Sequence, residues 1–318
     1  MIVFVMFIIL IALICLNVPI AVGLAVAAIF GLAVTEGIDS VVTLALDMYD
    51  GSTKFSLIAI PMFVLAGAIM NAGGITDRLI NFVSAIIGFV RGGLAMVNIG
   101  VSLFFAEISG SAVADVAALG SILIPQMKKR GYSAPFAAAV TSSSASLAII
   151  IPPSIPMILY ATSAGTSVEQ LFVAGIIPGL LGAFGLMGMA YYFARRYNFP
   201  KEDAFEFRRL WATLIDALPA FTLPVIILGG IFGGFVTATE AAGLAVIAAL
   251  IVSAWYAKMD FRHLKRAMID GGVQTSVVML LVAASVVMGG FLTRAQIPQE
   301  FARWMLDITT NQWAILAI

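Results

Sequence analysis

Charge is what this sequence has least of. Of its 318 residues 17 are Lys or Arg and 17 are Asp or Glu, so the formal net charge is zero and the charged fraction is 11%. A soluble domain carries about a quarter of its residues as charges. Zero net charge also removes the basic footprint of a nucleic-acid binder. The single cysteine, Cys15, makes no intrachain disulfide and no cysteine metal cluster. The single histidine, His263, sits in the basic amphipathic stretch F-R-H-L-K-R without ligand companions and reads as part of a solvated face. Ser111, Ser142 and Ser154 have no histidine nearby, and H-E-x-x-H and phosphate-loop patterns are absent. The chain therefore reads as non-enzymatic. Its N-terminus lacks a basic n-region and a small-residue cleavage site, so 2–16 reads as a first membrane helix.

Apolar residues fill the space that charge leaves, at 62% of the chain. They fall in stretches at 2–16, 18–34, 55–73, 79–90, 94–106, 116–125, 134–163, 169–194, 213–235, 240–257, 273–293 and 301–318. These runs are continuous and do not alternate, which excludes a membrane β-barrel. The expectation is an all-α polytopic membrane protein.

The unequal lengths of the runs carry further information. A membrane span needs about 20 residues to cross ~30 Å of hydrocarbon. The apolar arms 94–105 and 112–124 would each reach only ~20 Å at 1.5 Å per residue. They predict a re-entrant hairpin over 94–125 that turns at I-S-G-S, residues 108–111. Segment 134–163 has the opposite fault, being too long for one span and carrying I-P-P-S-I-P at 151–156. Pro152, Pro153 and Pro156 remove backbone donors, which predicts a helix broken inside the membrane. Such a break is tolerated where it faces protein or a wet cavity.

Basic residues orient the spans. Lys128–Arg130, Arg195-Arg196, Lys201, Arg208-Arg209 and the stretch from Lys258 to Arg266 go to the cytoplasm, and the acidic segment with Glu36, Asp39, Asp47 and Asp50 goes outside. On that orientation the hairpin opens to the cytoplasmic face. Asn17-Val18-Pro19 is open between a loop and a kink. A weak repeat follows: 23–29 resembles 243–250, 63–70 faces 281–288, and 75–94 faces 297–316. Residue 23 heads outward and residue 243 inward, so the halves are inverted, the signature of a secondary transporter. The expected organisation is scaffold helices of a first repeat at 1–93 and a transport half at 94–163. A connecting helix and a cytoplasmic in-plane helix follow at 164–212, then scaffold helices of a second, incomplete repeat at 213–318. The counterpart of the hairpin would lie beyond residue 318, which predicts a natural protein about 100 residues longer by that repeat.

The polar groups in these apolar surroundings are the candidate site. At a hairpin tip, free carbonyls and the hydroxyls of Ser109 and Ser111 around Gly110 are hard oxygen ligands for a small cation. An arm beginning near Ser111 points its positive dipole end at an anion. Small-residue helix packing is the alternative use of the same residues. Glu107 and Asp115 flank the tip and read as supporting groups, Asp115 through the N-terminus of the second arm. Ser142 and Ser146 share a helix face before the break at Ile151, Pro152, Pro153 and Ser154. Thr237 or Thr239 can cap a helix carrying Glu240 in its first turn.

In combination, I-P-M-F-V-L-A-G at 60–67, I-S-G-S-A-V-A-D at 108–115, I-P-x-M-x-x-x-G-Y at 124–132, I-P-P-S at 151–154, L-F-x-A-G-I-x-P-G at 171–179 and F-V-T-A-T-E-A-A at 235–242 resemble the large membrane (M) subunit of tripartite ATP-independent periplasmic (TRAP) transporters. Where that family usually has Thr-Pro-x-Glu, this chain has T-A-T-E at 237–240. The resemblance implies an elevator-type importer of the bacterial or archaeal cytoplasmic membrane, driven by sodium and using no other cofactor. It implies a small four-helix membrane (Q) subunit and a periplasmic binding protein that delivers a carboxylate such as a C4-dicarboxylate or sialic acid. It also implies a sodium site at Ser109, Gly110, Ser111, Ser142, Ile151 and Pro152, and substrate contacts at Ser109, Gly110, Ser111, Pro153 and Ser154. A stand-alone sodium/carboxylate symporter and an intramembrane enzyme are the competing readings.

Overall fold

The computed structural model describes residues 2–199, 204–256 and 260–317. Lys201 and Lys258, used above for orientation, lie outside them. The described residues form α-helices and short 3-10 turns, with no strand among them. The chain divides into two compact units, residues 2–54 with 276–317 and residues 55–275. Five helical segments are long and apolar enough to cross a membrane: Phe55–Ala72, Val168–Arg196, Phe207–Phe232, Ala238–Trp255 and Phe261–Arg294.

The first unit begins with α1 (Ile2–Cys15) and α2 (Ile20–Thr35). Asn17 breaks the helix at φ +63°, and Pro19 stands before α2 without a side-chain cap. The open choice at 17–19 is thus a loop. Small residues let the two helices close, with Gly23 against Leu10 and Gly31 against Met6. Met6, Leu32, Leu44, Val287, Met288 and Phe291 fill the core of this unit, which also holds α3 (Val41–Ser52). Arg294 ends the long helix of this unit and reaches Asp47 at 2.7 Å and Glu36 at 3.4 Å.

In the second unit α4 (Ala59–Ala72) packs along α12 (Ala238–Trp255) through a stripe of alanines on α12. Ser253 of α12 gives its hydroxyl to the carbonyl of Ile69 at 3.5 Å. The amphipathic α5 (Ile75–Ile87) lies against α11 (Phe207–Phe232), with Phe82 edge-on to Phe221 at 5.1 Å. At the end of that seam Arg78 bonds Asp216 at 3.2 Å and lies 3.6 Å over the ring of Tyr256. The segment 205–211, expected as a separate in-plane helix, is carried from Phe207 as the first turns of α11. No Gly or Pro stands between Phe207 and Ala217 to interrupt it, and Pro219 and Pro224 are held inside the same helix.

The middle of this unit positions the site. α6 (Gly93–Ser109) is buried nearly all round. Gly110, at φ +57°, turns the chain into α7 (Ala112–Lys129). Both arms are longer than the apolar runs alone indicate, at 17 and 18 residues. The polar Glu107 and Ser109 continue α6, and Pro125 and the lysines continue α7. α8 (Ala134–Ala145) passes through a 3-10 turn at Ser146–Ile149 into a non-helical bend, and α9 (Ile155–Ala164) resumes beyond it. The Pro152–Pro153 bond in the bend is cis. α10 (Val168–Arg196) closes over the bend, with Gly175 against the carbonyl of Ile150 and Gly179 against Ile151.

Candidate functional site

Four helix ends meet where α6 turns into α7. Gly110 accepts the N–H of Ile155 on its carbonyl at 3.2 Å, tying the hairpin tip to the start of α9. A Cβ at Gly110 would stand 2.7 Å from the carbonyl of Pro153, so only glycine fits both the left-handed turn and the close approach. The C-terminal end of α6 and the 3-10 end of α8 bring carbonyls, the negative ends of their dipoles. The N-terminal ends of α7 and α9 bring amides, the positive ends. One place therefore offers partial charges of both signs, which suits a cation and an anion held side by side.

The capping side chains make the four ends definite. Ser111 caps α7, its Oγ accepting the N–H of Ala114 at 3.4 Å, and Gln274 donates to the same Oγ at 3.5 Å. Ser154 caps α9 by accepting the N–H of Met157 at 3.4 Å, and donates to the carbonyl of Ile149 at 2.6 Å. That second bond bridges the proline bend and occupies one carbonyl the break sets free. The Ser109 hydroxyl donates to Asp115 and accepts the N–H of Ser111 at 3.2 Å. Ser109, Asp115 and Ser154 are all buried.

Of the residues singled out in sequence, Ser109, Gly110, Ser111, Asp115, Pro153 and Ser154 come together with Ile151 and Pro152 in the same bend. Ser142 makes none of these bonds. It is exposed on α8 and returns its proton to the carbonyl of Ala139 at 3.2 Å. Glu107 is half-buried one turn before the tip.

Sequence reasoning missed a buried network between α6 and α8. Asn98 donates to Thr141 at 2.7 Å, Ser144 donates to Asn98 Oδ1 at 3.4 Å, and Ser102 donates to Ser144 at 2.9 Å. Asn98 also approaches the sulfur of Met127 on α7 at 3.6 Å. One side chain thus ties both hairpin arms to the broken helix. The signal was available: Asn98 and Ser102 are spaced i, i+4 in an apolar run, and Thr141 and Ser144 i, i+3.

A cavity of about 420 Å³ opens from the tip. Ser109, Ser111 and Gln274 line one end, Ser121 and Asn71 lie along it, and His263, Arg266 and Asp270 of α13 (Phe261–Arg294) line it too. Gln274 meets Ser111 at the tip, and His263 and Arg266 lie two to three turns earlier on α13. Asp260 caps α13 by accepting the N–H of His263 at 2.8 Å. That backbone bond, with the His263 ring beside it, holds the Asp260 carboxyl below its ordinary range. Among the described residues there is no group of three or more His, Cys, Asp and Glu of the kind that holds a transition metal. The tip offers neutral hydroxyls and carbonyls instead, the donors of a hard cation.

Residues 7–318 match the family described as the tripartite ATP-independent periplasmic transporter, DctM component. The C4-dicarboxylate TRAP transporter large permease protein DctM of Pseudomonas aeruginosa is 39% identical over 281 residues, 88% of this chain and 66% of that protein. The 2,3-diketo-L-gulonate TRAP transporter large permease protein YiaN of Escherichia coli is 39% identical over 290 residues, 89% of this chain and 68% of that protein. The sialic acid TRAP transporter large permease protein SiaM of Vibrio cholerae is 36% identical over 275 residues, 86% of this chain and 64% of that protein. The chain thus spans about two thirds of the length of these relatives, which are transport permeases and not enzymes. A matched family model over nearly the whole chain and several apolar helices of membrane length lead to one assignment: the chain belongs to the DctM component family of TRAP transporters, multi-pass proteins of the inner membrane.

Proposed function

We propose that this chain is the membrane-transport part of a sodium-coupled importer of a small carboxylate. The observation that carries the reading is the junction of the hairpin tip with the proline bend, through the bond from Ile155 N–H to the Gly110 carbonyl. It sets two negative and two positive helix ends around one point, beside the oxygens of Ser109 and Ser111. A sodium ion on the oxygens would draw a substrate carboxylate to the neighbouring amides, and each charge would lower the cost of holding the other. The relatives named for C4-dicarboxylate, 2,3-diketo-L-gulonate and sialic acid all concern carboxylates, which supports the class. Delivery by a periplasmic binding protein and assembly with a small four-helix membrane subunit follow from the same family reading.

The repeat has support beyond the sequence matches. α4 leads through Gly74, at φ +72°, into the amphipathic α5, Ile75–Ile87. α13 leads through Gln296, at φ +58°, into the amphipathic α14, Ile297–Ile308. Both halves thus make the same left-handed step from a span into a short amphipathic arm.

Proteoliposomes carrying the complete permease with its small subunit test the function. Uptake of a radiolabelled C4-dicarboxylate or sialic acid is expected only with an inward sodium gradient and the binding protein present. Equal uptake with potassium replacing sodium would overturn the coupling. Equal uptake without the binding protein would mark a stand-alone symporter.

A further inference from the structure

Asp115 is the only Asp or Glu among the described residues that is fully buried, at 0% exposure. It lies in the first turn of α7, where an acid faces the positive end of the helix dipole. Oδ1 takes the proton of the Ser109 hydroxyl, while Oδ2 is shut from solvent and has no hydrogen-bond partner among the described residues. None of the ion pairs among the described residues includes it. A carboxylate left in that state in an apolar interior is expensive, and membrane proteins keep such groups for function.

Ser109 is equally out of the ordinary. Helical hydroxyls in this chain usually return their proton to a carbonyl three or four residues back, as Thr35, Thr141, Ser142, Thr162, Thr213 and Thr293 do. Ser109 sends its proton forward to Asp115 instead. With the proton fixed there and one lone pair taken by the N–H of Ser111, a single lone pair of Ser109 Oγ is left to point elsewhere.

We propose that Asp115 is the positioning residue of the hairpin tip: it holds the Ser109 hydroxyl with its free lone pair turned to a small monovalent cation, and its second carboxylate oxygen supplies the negative charge that the neutral oxygens lack. This rests on the sodium-coupled reading and adds to it where the charge of the site comes from. The ion is a hard one, because the partners are hydroxyl, carbonyl and carboxylate oxygens, and its size, that of sodium or lithium, comes from the sodium-coupled reading.

The test uses the complete permease in proteoliposomes and in detergent. Asp115→Asn keeps an oxygen to receive the Ser109 proton and removes the charge; Asp115→Ala removes both. For Asp115→Asn the sodium concentration for half-maximal uptake is expected to rise at least about tenfold, an effect of one decade in affinity. The maximal rate at saturating sodium and the substrate KM should stay within about twofold, the split a positioning role requires. Asp115→Ala should rise further, and adding Ser109→Ala to Asp115→Asn should cost less than the sum, because the two act as a unit. An unchanged sodium curve in Asp115→Asn would overturn the proposal and mark Oδ2 as carrying its own proton. A fall in maximal rate alone would mark a merely structural residue. Should the Asp115 variants fail to accumulate, Ser109→Thr against Ser109→Ala decides, since only the first keeps a hydroxyl to orient. Thermal unfolding in sodium, lithium or choline chloride separates this proposal from the reading beneath it. A wild type stabilised by sodium whose uptake ignores sodium loses the coupling and keeps the site. A wild type indifferent to sodium in both loses both.

Discussion

The Gly110 carbonyl accepts the backbone N–H of Ile155 at 3.2 Å, across 45 residues of sequence (155 − 110). This bond and the approach of Pro153 to Gly110 join the hairpin to the broken helix by backbone alone. The junction therefore does not depend on which side chains surround it.

Gly110→Ala attacks that junction. The residue sits at φ +57° and its Cβ would meet the Pro153 carbonyl at 2.7 Å. A left-handed non-glycine residue costs roughly 1–2 kcal/mol, and the clash adds to it. The expected result is a permease that inserts, melts lower and transports poorly, seen by thermal unfolding and uptake side by side. Gly131→Ala, at φ +86° with open space around it, is the control that bears strain without the clash.

Asn98→Leu should cost more than an ordinary core exchange of similar size. It takes one bond from each of Thr141 and Ser144, which keep their bonds to the Ala137 carbonyl and to Ser102, and a lost hydrogen bond costs about 0.5–1.5 kcal/mol. Adding Thr141→Val removes a bond that Asn98→Leu has already broken, so the double variant is expected to lose less than the sum. Denaturant unfolding in mild detergent measures the cycle; strict additivity would mean that the network contributes nothing.

Arg266 should set the charge preference of the cavity that leads from the tip. Among the described residues it makes no ion pair, although Asp270 stands one turn on and lines the same space. With Cys15→Ser removing the single native thiol, Ser121→Cys places a reporter in the lining. Negatively charged thiol reagents should react faster relative to positively charged ones with Arg266 present, and the ratio should fall several-fold in Arg266→Glu. A ratio that does not move would show that Asp270 cancels Arg266 along this route.

The cap on α13 should respond to acid. The carboxyl of Asp260 is lowered chiefly by the His263 backbone N–H, so its folded pKa lies below its unfolded one. For a depressed acid the stabilisation is full above the ordinary carboxylate pKa and fades as pH falls through the folded value. Amide exchange over 261–264, corrected for its intrinsic pH dependence, is expected to stay slow from neutral pH down to the ordinary carboxylate range and to quicken below it. In Asp260→Ala it should be fast throughout.

The cap on α12 shows how much of this molecule is local chemistry. The proline that the family usually carries after the threonine is replaced by Ala238, yet a complete capping box forms. Thr237 Oγ takes the N–H of Glu240 at 3.3 Å, and Glu240 takes the N–H of Thr237 at 2.8 Å. Both bonds join residues three apart, so the pattern T-x-x-E is enough to write them.

Composition and run length by themselves determined that this is an all-α membrane protein, because a low-dielectric solvent admits little besides helices for continuous apolar runs. The position of I-S-G-S and of I-P-P-S marked a turn and a break for equally local reasons, a glycine able to adopt positive φ and prolines without N–H. Tertiary structure decided which polar groups share the site. Ser142 is exposed, while Asn98, Thr141 and Ser144 bind the arms together. It also carried α6 and α7 past their apolar runs and merged 207–211 into α11. Helix phase and long-range packing choose the inward face, and in a chain this apolar nearly every face is greasy enough to be buried, so pattern alone could not choose it.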